Sequence, residues 1–127
     1  MDLTTSRRIL LLRVSYWAGA AADAIIGVRM LMPEMMGEAG FRYAMGTSAS
    51  IVFGWTVLLI WADRKPVQRK GVLLITIFPV IVGLMTAALW PVFDGVFPLS
   101  RMIPMWILGG TLICLMGFSY YHARNLE

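Results

Sequence analysis

The sequence has very few of the residues that build most catalytic and metal sites. Its 127 residues include one histidine and one cysteine. Cys114 has no second cysteine for a disulfide within the chain, and a metal site usually needs three or four ligands. We therefore expect no metal and no cofactor. Cys114 is predicted to pack as a small residue within an apolar stretch, and His122 to lie at a membrane edge. No nucleotide-binding loop or catalytic signature is present, which predicts a protein that is not an enzyme.

Charge is also scarce, and apolar sequence takes its place. Only 14% of residues are charged while 59% are hydrophobic, which lies outside the usual range of soluble globular proteins. Four long apolar stretches cover residues 9–32, 44–62, 72–91 and 102–121. Each is long enough to cross a bilayer core of about 30 Å as a helix. The sequence therefore predicts an all-α fold, a four-transmembrane-helix bundle that forms a single integral membrane domain over residues 1–127.

The basic residues are unevenly distributed between the two predicted sides of the membrane. One side carries Arg7, Arg8, Arg64, Lys65, Arg69, Lys70 and Arg124. The opposite side carries Arg42 and Arg101, offset by Glu34, Glu38 and Asp94. Because short cytoplasmic loops are enriched in Lys and Arg, we expect both termini and the 64–70 loop to lie in the cytoplasm, with the protein in the plasma membrane. The net charge of +4 is explained by this orientation and predicts no nucleic-acid partner.

The 64–70 loop is the densest run of charge in the chain. Its four basic residues are Arg64, Lys65, Arg69 and Lys70. Basic residues at a membrane surface attract anionic lipid headgroups by ~1 kcal/mol each. The loop is therefore predicted to anchor the topology and to contact lipid headgroups, and the alternative is a docking site for another protein.

Small residues recur at every fourth position in the first two stretches. The first carries Ser15, Gly19, Asp23 and Gly27, and the second carries Gly46, Ser50 and Gly54. Residues at this spacing share one helix face, and small residues let helix backbones approach closely in lipid. We expect the first two helices to form a tight antiparallel pair in which Gly19, Gly27, Gly46 and Gly54 lie at the contact. Pro79, inside the third stretch, is predicted to kink that helix.

Asp23 is the residue that most requires an explanation, because a carboxylate in mid-membrane costs ~2.5–3.5 kcal/mol. It is therefore expected to face the bundle interior, either paired or protonated. Counting ~1.5 Å per residue from the helix ends places Ser50, Thr86 and Thr111 at a similar depth. The sequence thus predicts an intramembrane polar cluster of Asp23, Ser50, Thr86 and Thr111.

Two arginines of the first helix differ in their expected need for a partner. Helical side chains lean toward the helix N-terminus, so Arg13 leans toward the cytoplasmic surface and Arg29 leans into the membrane. Arg29 is therefore predicted to form an ion pair, with Glu34, Glu38 or Asp94 as candidate partners, or alternatively to bind a substrate. Arg13 is expected to reach the surface easily and so to need a partner less than Arg29 does.

Three segments resemble a family of small prokaryotic membrane proteins of no known activity. They are residues 13–24 (RVSYWAGAAADA), 53–66 (FGWTVLLIWADRKP) and 69–74 (RKGVLL). The resemblance covers the first three helices and implies four membrane helices without implying an activity. In architecture alone, the chain is similar to the small multidrug resistance transporters, which also have four short helices and an acidic residue in the first.

These observations leave three function hypotheses. The first is a non-catalytic membrane component, such as an accessory subunit of another membrane protein or a subunit of a homo-oligomer. The second is a small proton- or cation-coupled transporter that uses Asp23. The third, a membrane enzyme, has the least support because Asp23, Arg29 and His122 form no acid–base pair in the sequence pattern.

Overall fold

A computed structural model of the chain describes residues 4–32, 39–95 and 97–127, with the backbone alone for residues 39–41. These residues form four long helices and no strand: α1 (Thr5–Met30), α2 (Ala39–Asp63), α3 (Gly71–Phe93) and α4 (Leu99–Ala123). All four are long and apolar enough to cross a membrane. The predicted all-helical fold with four candidate spans is therefore confirmed, and each predicted apolar stretch corresponds to one helix.

Helix α1 is at the centre of the packing. It contacts α2 along much of its length and also contacts α4, whereas α3 packs mainly against α4. The start of α1 is fixed by Thr4, whose side chain accepts a hydrogen bond from the backbone N–H of Arg7 at 3.4 Å. The predicted antiparallel pair of α1 and α2 is confirmed by this packing.

Helix α3 is interrupted near its middle. Phe78 has extended backbone angles (φ −135°, ψ 121°) and directly precedes Pro79. Proline has no N–H for the helix, and it disfavours helical angles in the residue before it. The predicted break is therefore confirmed. Beside it, the indole Nε1 of Trp55 in α2 donates a hydrogen bond to the buried hydroxyl of Thr76 at 3.0 Å, which ties α2 to α3.

The best-packed part of the bundle is the end that carries the 64–70 segment, the start of α1 and the end of α4. We call this the basic end and the opposite end the far end. The largest fully buried side chains lie toward the basic end, and they include Leu12, Tyr16, Leu59, Leu73 and Met116. Large side chains at the far end are more exposed, such as Tyr43 at 81% and Phe93 at 77%. The apolar core therefore holds the helices together chiefly where the charged segment lies.

Candidate functional site

The main polar contact between helices joins α1 to the last residue of α2. Nε and Nη2 of Arg13 donate hydrogen bonds to Oδ1 and Oδ2 of Asp63 at 2.9 and 3.1 Å. Trp17 donates from its indole Nε1 to the same Oδ2 at 3.1 Å. Only 9% of Asp63 is exposed, whereas the side chain of Arg13 is 56% exposed. The carboxylate is thus enclosed at the basic end while the guanidinium remains at the surface.

The local sequence explains how this contact forms. Arg13 and Trp17 are four residues apart in α1, so they lie on the same side of that helix. The antiparallel pairing of α1 and α2 brings the end of α2 beside the start of α1. Arg13 was expected to need a partner less than Arg29 does, but it forms a two-point arginine–carboxylate pair with Asp63.

Two further contacts connect α1 to the rest of the basic end. The hydroxyl of Tyr16 donates to the backbone carbonyl of Pro66 at 3.0 Å. Ser15 and Ser119 are both fully buried, and their hydroxyl oxygens are 2.6 Å apart, so that one donates to the other between α1 and α4. Each buried hydroxyl is thereby paired within the protein, as a polar group in an apolar bundle requires.

Two of the four basic residues of the 64–70 loop are bound to the protein itself. Nζ of Lys70 lies 2.5–3.1 Å from the carbonyl oxygens of Ala123, Arg124 and Leu126. A lysine at this position satisfies carbonyl groups that the end of α4 leaves without helical partners. Arg69 lies over the ring of Trp61, with its Cζ 3.3 Å from the ring centroid.

The ammonium of Lys70 is therefore used within the protein, and the contact of the loop with lipid headgroups stays a prediction. Arg64 and Lys65 are exposed, and Arg69 is partly buried. These three remain available at the surface of the basic end.

The predicted polar cluster around Asp23 does not form. Thr86 and Thr111 are exposed, and their hydroxyls donate to the carbonyls of Val82 and Ile107 in their own helices, both at 2.8 Å. A threonine in a helix can satisfy its hydroxyl in this way, so it has no need to face the bundle interior. Thr86 instead borders an apolar groove between α3 and α4, lined also by Val82, Met85, Leu89, Trp106 and Ile113.

Ser50 is also exposed, and it borders a shallow pocket near the far end together with Arg42, Tyr43, Gly46, Thr47 and Ile51. Asp23 itself is partly buried in α1. Its Oδ2 atom is buried and has no hydrogen-bond partner among the described residues. The described helices hold two acidic side chains, Asp23 and Asp63. Asp63 is hydrogen-bonded, whereas Asp23 has a buried oxygen atom without a partner.

The glycines of α1 lie at the α1–α2 contact as predicted, but those of α2 do not. A Cβ atom added at Gly27 would lie 2.7 Å from the ring of Phe53, and one at Gly19 would lie 3.0 Å from Cδ1 of Leu59 in α2 and 2.6 Å from Cε of Met116 in α4. The same test at Gly46 and Gly54 meets nothing within 4 Å. The predicted contact role of Gly46 and Gly54 is therefore wrong.

The physical reason is that larger side chains of α2 fill the spaces left by the small residues of α1. The buried apolar residues of α2 are Ala49, Val52, Leu59 and Ala62. Two helix faces made only of small residues would bring few side-chain atoms into contact. Protein interiors pack closely when large side chains on one helix fill the spaces beside small residues on the other. Helix α2 is thus rotated so that its own small-residue stripe faces away from α1.

Arg29 and the remaining candidates are not assembled into a site. Arg29 is exposed and makes no ion pair within the described part of the chain, and its candidate partners Glu34 and Glu38 lie outside the described residues. Cys114 is exposed, in contrast to the predicted packing role. His122 packs on Phe118 with ring centroids 4.1 Å apart. Among the described residues, no group of three potential metal ligands comes together.

The sequence did not predict the polar contacts between helices that are made by Arg13, Trp17, Asp63 and Lys70. One signal could have found the first three. Arg13 and Trp17 share a face of α1, and Asp63 ends the neighbouring antiparallel helix at the same membrane depth. The arrangement can fix the register of α1, α2 and α4, because Arg13 and Asp63 are bonded to each other and Lys70 is bonded to backbone carbonyls at the end of α4. Compared with known proteins, the chain matches no protein-family model, no curated protein and no solved structure.

Proposed function

We propose that this chain is a multi-pass protein of the plasma membrane whose four helices each cross the bilayer. In this proposal both termini and the 64–70 segment are cytoplasmic. The proposal is supported by the gathering of the basic residues at one end of the bundle, since cytoplasmic segments next to membrane helices are enriched in Lys and Arg.

We further propose that the protein is a non-catalytic membrane component, acting as an accessory subunit or as a subunit of an oligomer. The observation that carries this proposal is the use of the polar groups at the basic end. Asp63 is bonded to Arg13 and Trp17, and Lys70 is bonded to the end of α4. These groups hold helices together, which is the role of a scaffold. Helix α2 also packs chiefly on α1 and leaves much of its surface uncovered, as a subunit that associates with other helices would.

A second candidate function, a small proton- or cation-coupled transporter, is favoured by one observation at Asp23. Its buried Oδ2 atom has no hydrogen-bond partner in the described structure. An enclosed carboxyl group without a fixed partner can accept a proton or a cation, which is the chemistry that such a transporter needs. The two candidates differ in whether the charge of Asp23 is used.

Proton flux across liposomes separates the two candidates. The protein, the variant Asp23→Asn and the control Asp94→Asn would be reconstituted with a pH-sensitive dye inside the vesicles. Asp94 is an exposed carboxylate just after α3, so its variant removes the same charge outside the spans. The scaffold proposal predicts the same passive leak for all three proteins. A proton flux that is present in the parent and in Asp94→Asn but lost in Asp23→Asn would contradict the scaffold proposal and support the transporter.

The subunit proposal is tested by the mass of the purified complex. Light scattering of the protein in detergent gives the number of copies per particle, and a stable oligomer supports the proposal directly. Suppose instead that the particle is a monomer and that cross-linking in intact membranes joins it neither to another copy nor to another membrane protein. That pair of results would contradict a subunit role.

A further inference from the structure

An exposed tryptophan and three cations of the segment that follows it lie on the outside of the basic end. Trp61, near the end of α2, is 46% exposed. The chain continues from it in a tight turn in which the N–H of Arg64 donates to the Trp61 carbonyl at 3.3 Å. Arg64 and Lys65 follow three and four positions beyond Trp61 in this turn, and both are exposed. Arg69 returns to lie over the indole and donates to the Trp61 carbonyl. We call these four residues the Trp61 patch.

The one acidic residue of the 61–70 segment does not neutralise the positive charge of this patch. Asp63 is the one carboxylate between residues 61 and 70. Its side chain is 9% exposed and is bonded to Arg13 and Trp17 on the side of α1. The ion pair with Arg13 thus balances Asp63 inside the bundle. It leaves the cations of the Trp61 patch with no other carboxylate from the 61–70 segment beside them.

We propose that the Trp61 patch binds the headgroup of an anionic phospholipid in the leaflet at the basic end, and this rests on the membrane placement proposed above. The occupant follows from charge complementarity, because guanidinium and ammonium groups bind phosphate oxygens by charge-assisted hydrogen bonds. It also follows from the indole, since exposed tryptophans at helix ends lie at headgroup level. The stacked Arg69 is held in place by its contact with Trp61, so a phosphate meets at least one cation whose position is already fixed.

The residues assigned to lipid binding differ from the four basic residues of the 64–70 loop. Lys70 belongs to the same charged run, but its Nζ is occupied by carbonyl oxygens at the end of α4. Lys70 therefore lies outside the binding patch although it adds to the local positive potential. Trp61, which carries no charge, belongs to it.

Lipid titration followed by native mass spectrometry tests the proposal on the whole protein in detergent. Phosphatidylglycerol and phosphatidylcholine are titrated separately, and the apparent Kd of each is read from the bound fraction. We expect phosphatidylglycerol to bind more tightly than phosphatidylcholine. The double variant Arg64→Gln/Lys65→Gln should bind phosphatidylglycerol about thirtyfold more weakly, because each cation near an anionic surface contributes about fivefold. Its binding of phosphatidylcholine should not change.

The matched control is Arg7→Gln/Arg8→Gln, which removes two positive charges at the same end of the bundle. This control should keep the parent's affinity for phosphatidylglycerol. Equal affinity of the parent for both lipids, or an equal loss in the two double variants, would overturn the proposal. So would displacement of the lipid by a molar excess of inorganic phosphate, which would indicate a free anion, or by an acidic peptide, which would indicate a protein partner.

Two further measurements keep the result interpretable. The melting temperature of Arg64→Gln/Lys65→Gln should equal that of the parent, since both side chains are exposed. If it does not, the single variants replace it, each with about a fivefold loss. Membrane placement is tested separately by labelling position 68 in cells. If position 68 is labelled only after the membrane is permeabilised and the protein shows no lipid preference, the lipid proposal alone is contradicted. If position 68 is labelled in intact cells, the proposed orientation is contradicted.

Discussion

Arg13 and Asp63 lie 50 positions apart in the chain, and yet they form a two-point ion pair at 2.9 and 3.1 Å across the α1–α2 contact. The pair joins the start of one helix to the end of the next, where the apolar core is best packed. It also removes the only carboxylate of the 61–70 segment from the outer surface. One contact therefore affects both the register of the helices and the charge that the basic end presents.

Removing the charge of Asp63 should destabilise the bundle. Asp63→Asn keeps the shape of the side chain but leaves Arg13 without its carboxylate and weakens the bond from Trp17. We expect the melting temperature in detergent to fall by roughly 5 °C or more. Asp94→Asn, at an exposed position, should leave it unchanged. The pair acts as a unit, so Arg13→Gln/Asp63→Asn should melt no lower than Asp63→Asn alone. Additive losses in the double variant would contradict the pairing.

The glycines of α1 and α2 should respond differently to an added methyl group. Gly27→Ala places a Cβ 2.7 Å from the ring of Phe53. Because that ring is packed between the helices, we expect a loss of about 1–3 kcal/mol in unfolding free energy. Gly54→Ala enters open space and should be neutral or gain up to about 1 kcal/mol from higher helix propensity. Reversible unfolding in mixed micelles measures both values, and equal losses would show that α2 is rotated differently.

Lys70 should hold the last turn of α4 in place. Lys70→Met keeps the length of the side chain but removes the ammonium that contacts the carbonyls of Ala123 and Arg124. We expect amide hydrogen exchange in residues 120–126 to become about tenfold faster, as the loss of a charged hydrogen bond implies. Lys65→Met, an exposed neighbour with the same change in charge, is the control. Unchanged exchange in Lys70→Met would remove the capping role.

The parts of the fold that the sequence predicted depend on local patterns. Four apolar stretches of spanning length predict four helices whatever their neighbours are. Pro79 must interrupt α3, because its ring and missing N–H act within the same helix. The pairing of α1 with α2 follows from a short connection and from glycines that permit close approach. None of these inferences needs to know which face of α2 is turned inward.

The predictions that were wrong depend on how each helix is rotated about its axis. They also depend on which of several possible hydrogen-bond acceptors a polar side chain uses, and the sequence does not decide between these. The stripe of Gly46, Ser50 and Gly54 suggested one buried face, but Phe53 and Leu59 supply the side chains that lie against the glycines of α1. Thr86 and Thr111 suggested a polar interior, although each hydroxyl has an acceptor one turn earlier in its own helix. A polar residue that can be satisfied locally gives no information about the direction in which it points.

Arg13 and Arg29 show the same limit for charged residues. Both lie in α1, and the lean of helical side chains made Arg29 the one in need of a partner. The partner of Arg13 became apparent only once the end of α2 was placed beside the start of α1. The lean of the side chains alone therefore pointed to the wrong arginine, because it carries no information about where α2 ends.

The orientation of the basic end is the central claim, and single-cysteine labelling tests it most directly. In a Cys114→Ala background, Gln68→Cys and Asp94→Cys each place one exposed thiol at opposite ends of the bundle. A membrane-impermeant maleimide should label Asp94→Cys in intact cells and should label Gln68→Cys only after the membrane is permeabilised. Labelling of Gln68→Cys in intact cells, with Asp94→Cys protected, would contradict the account.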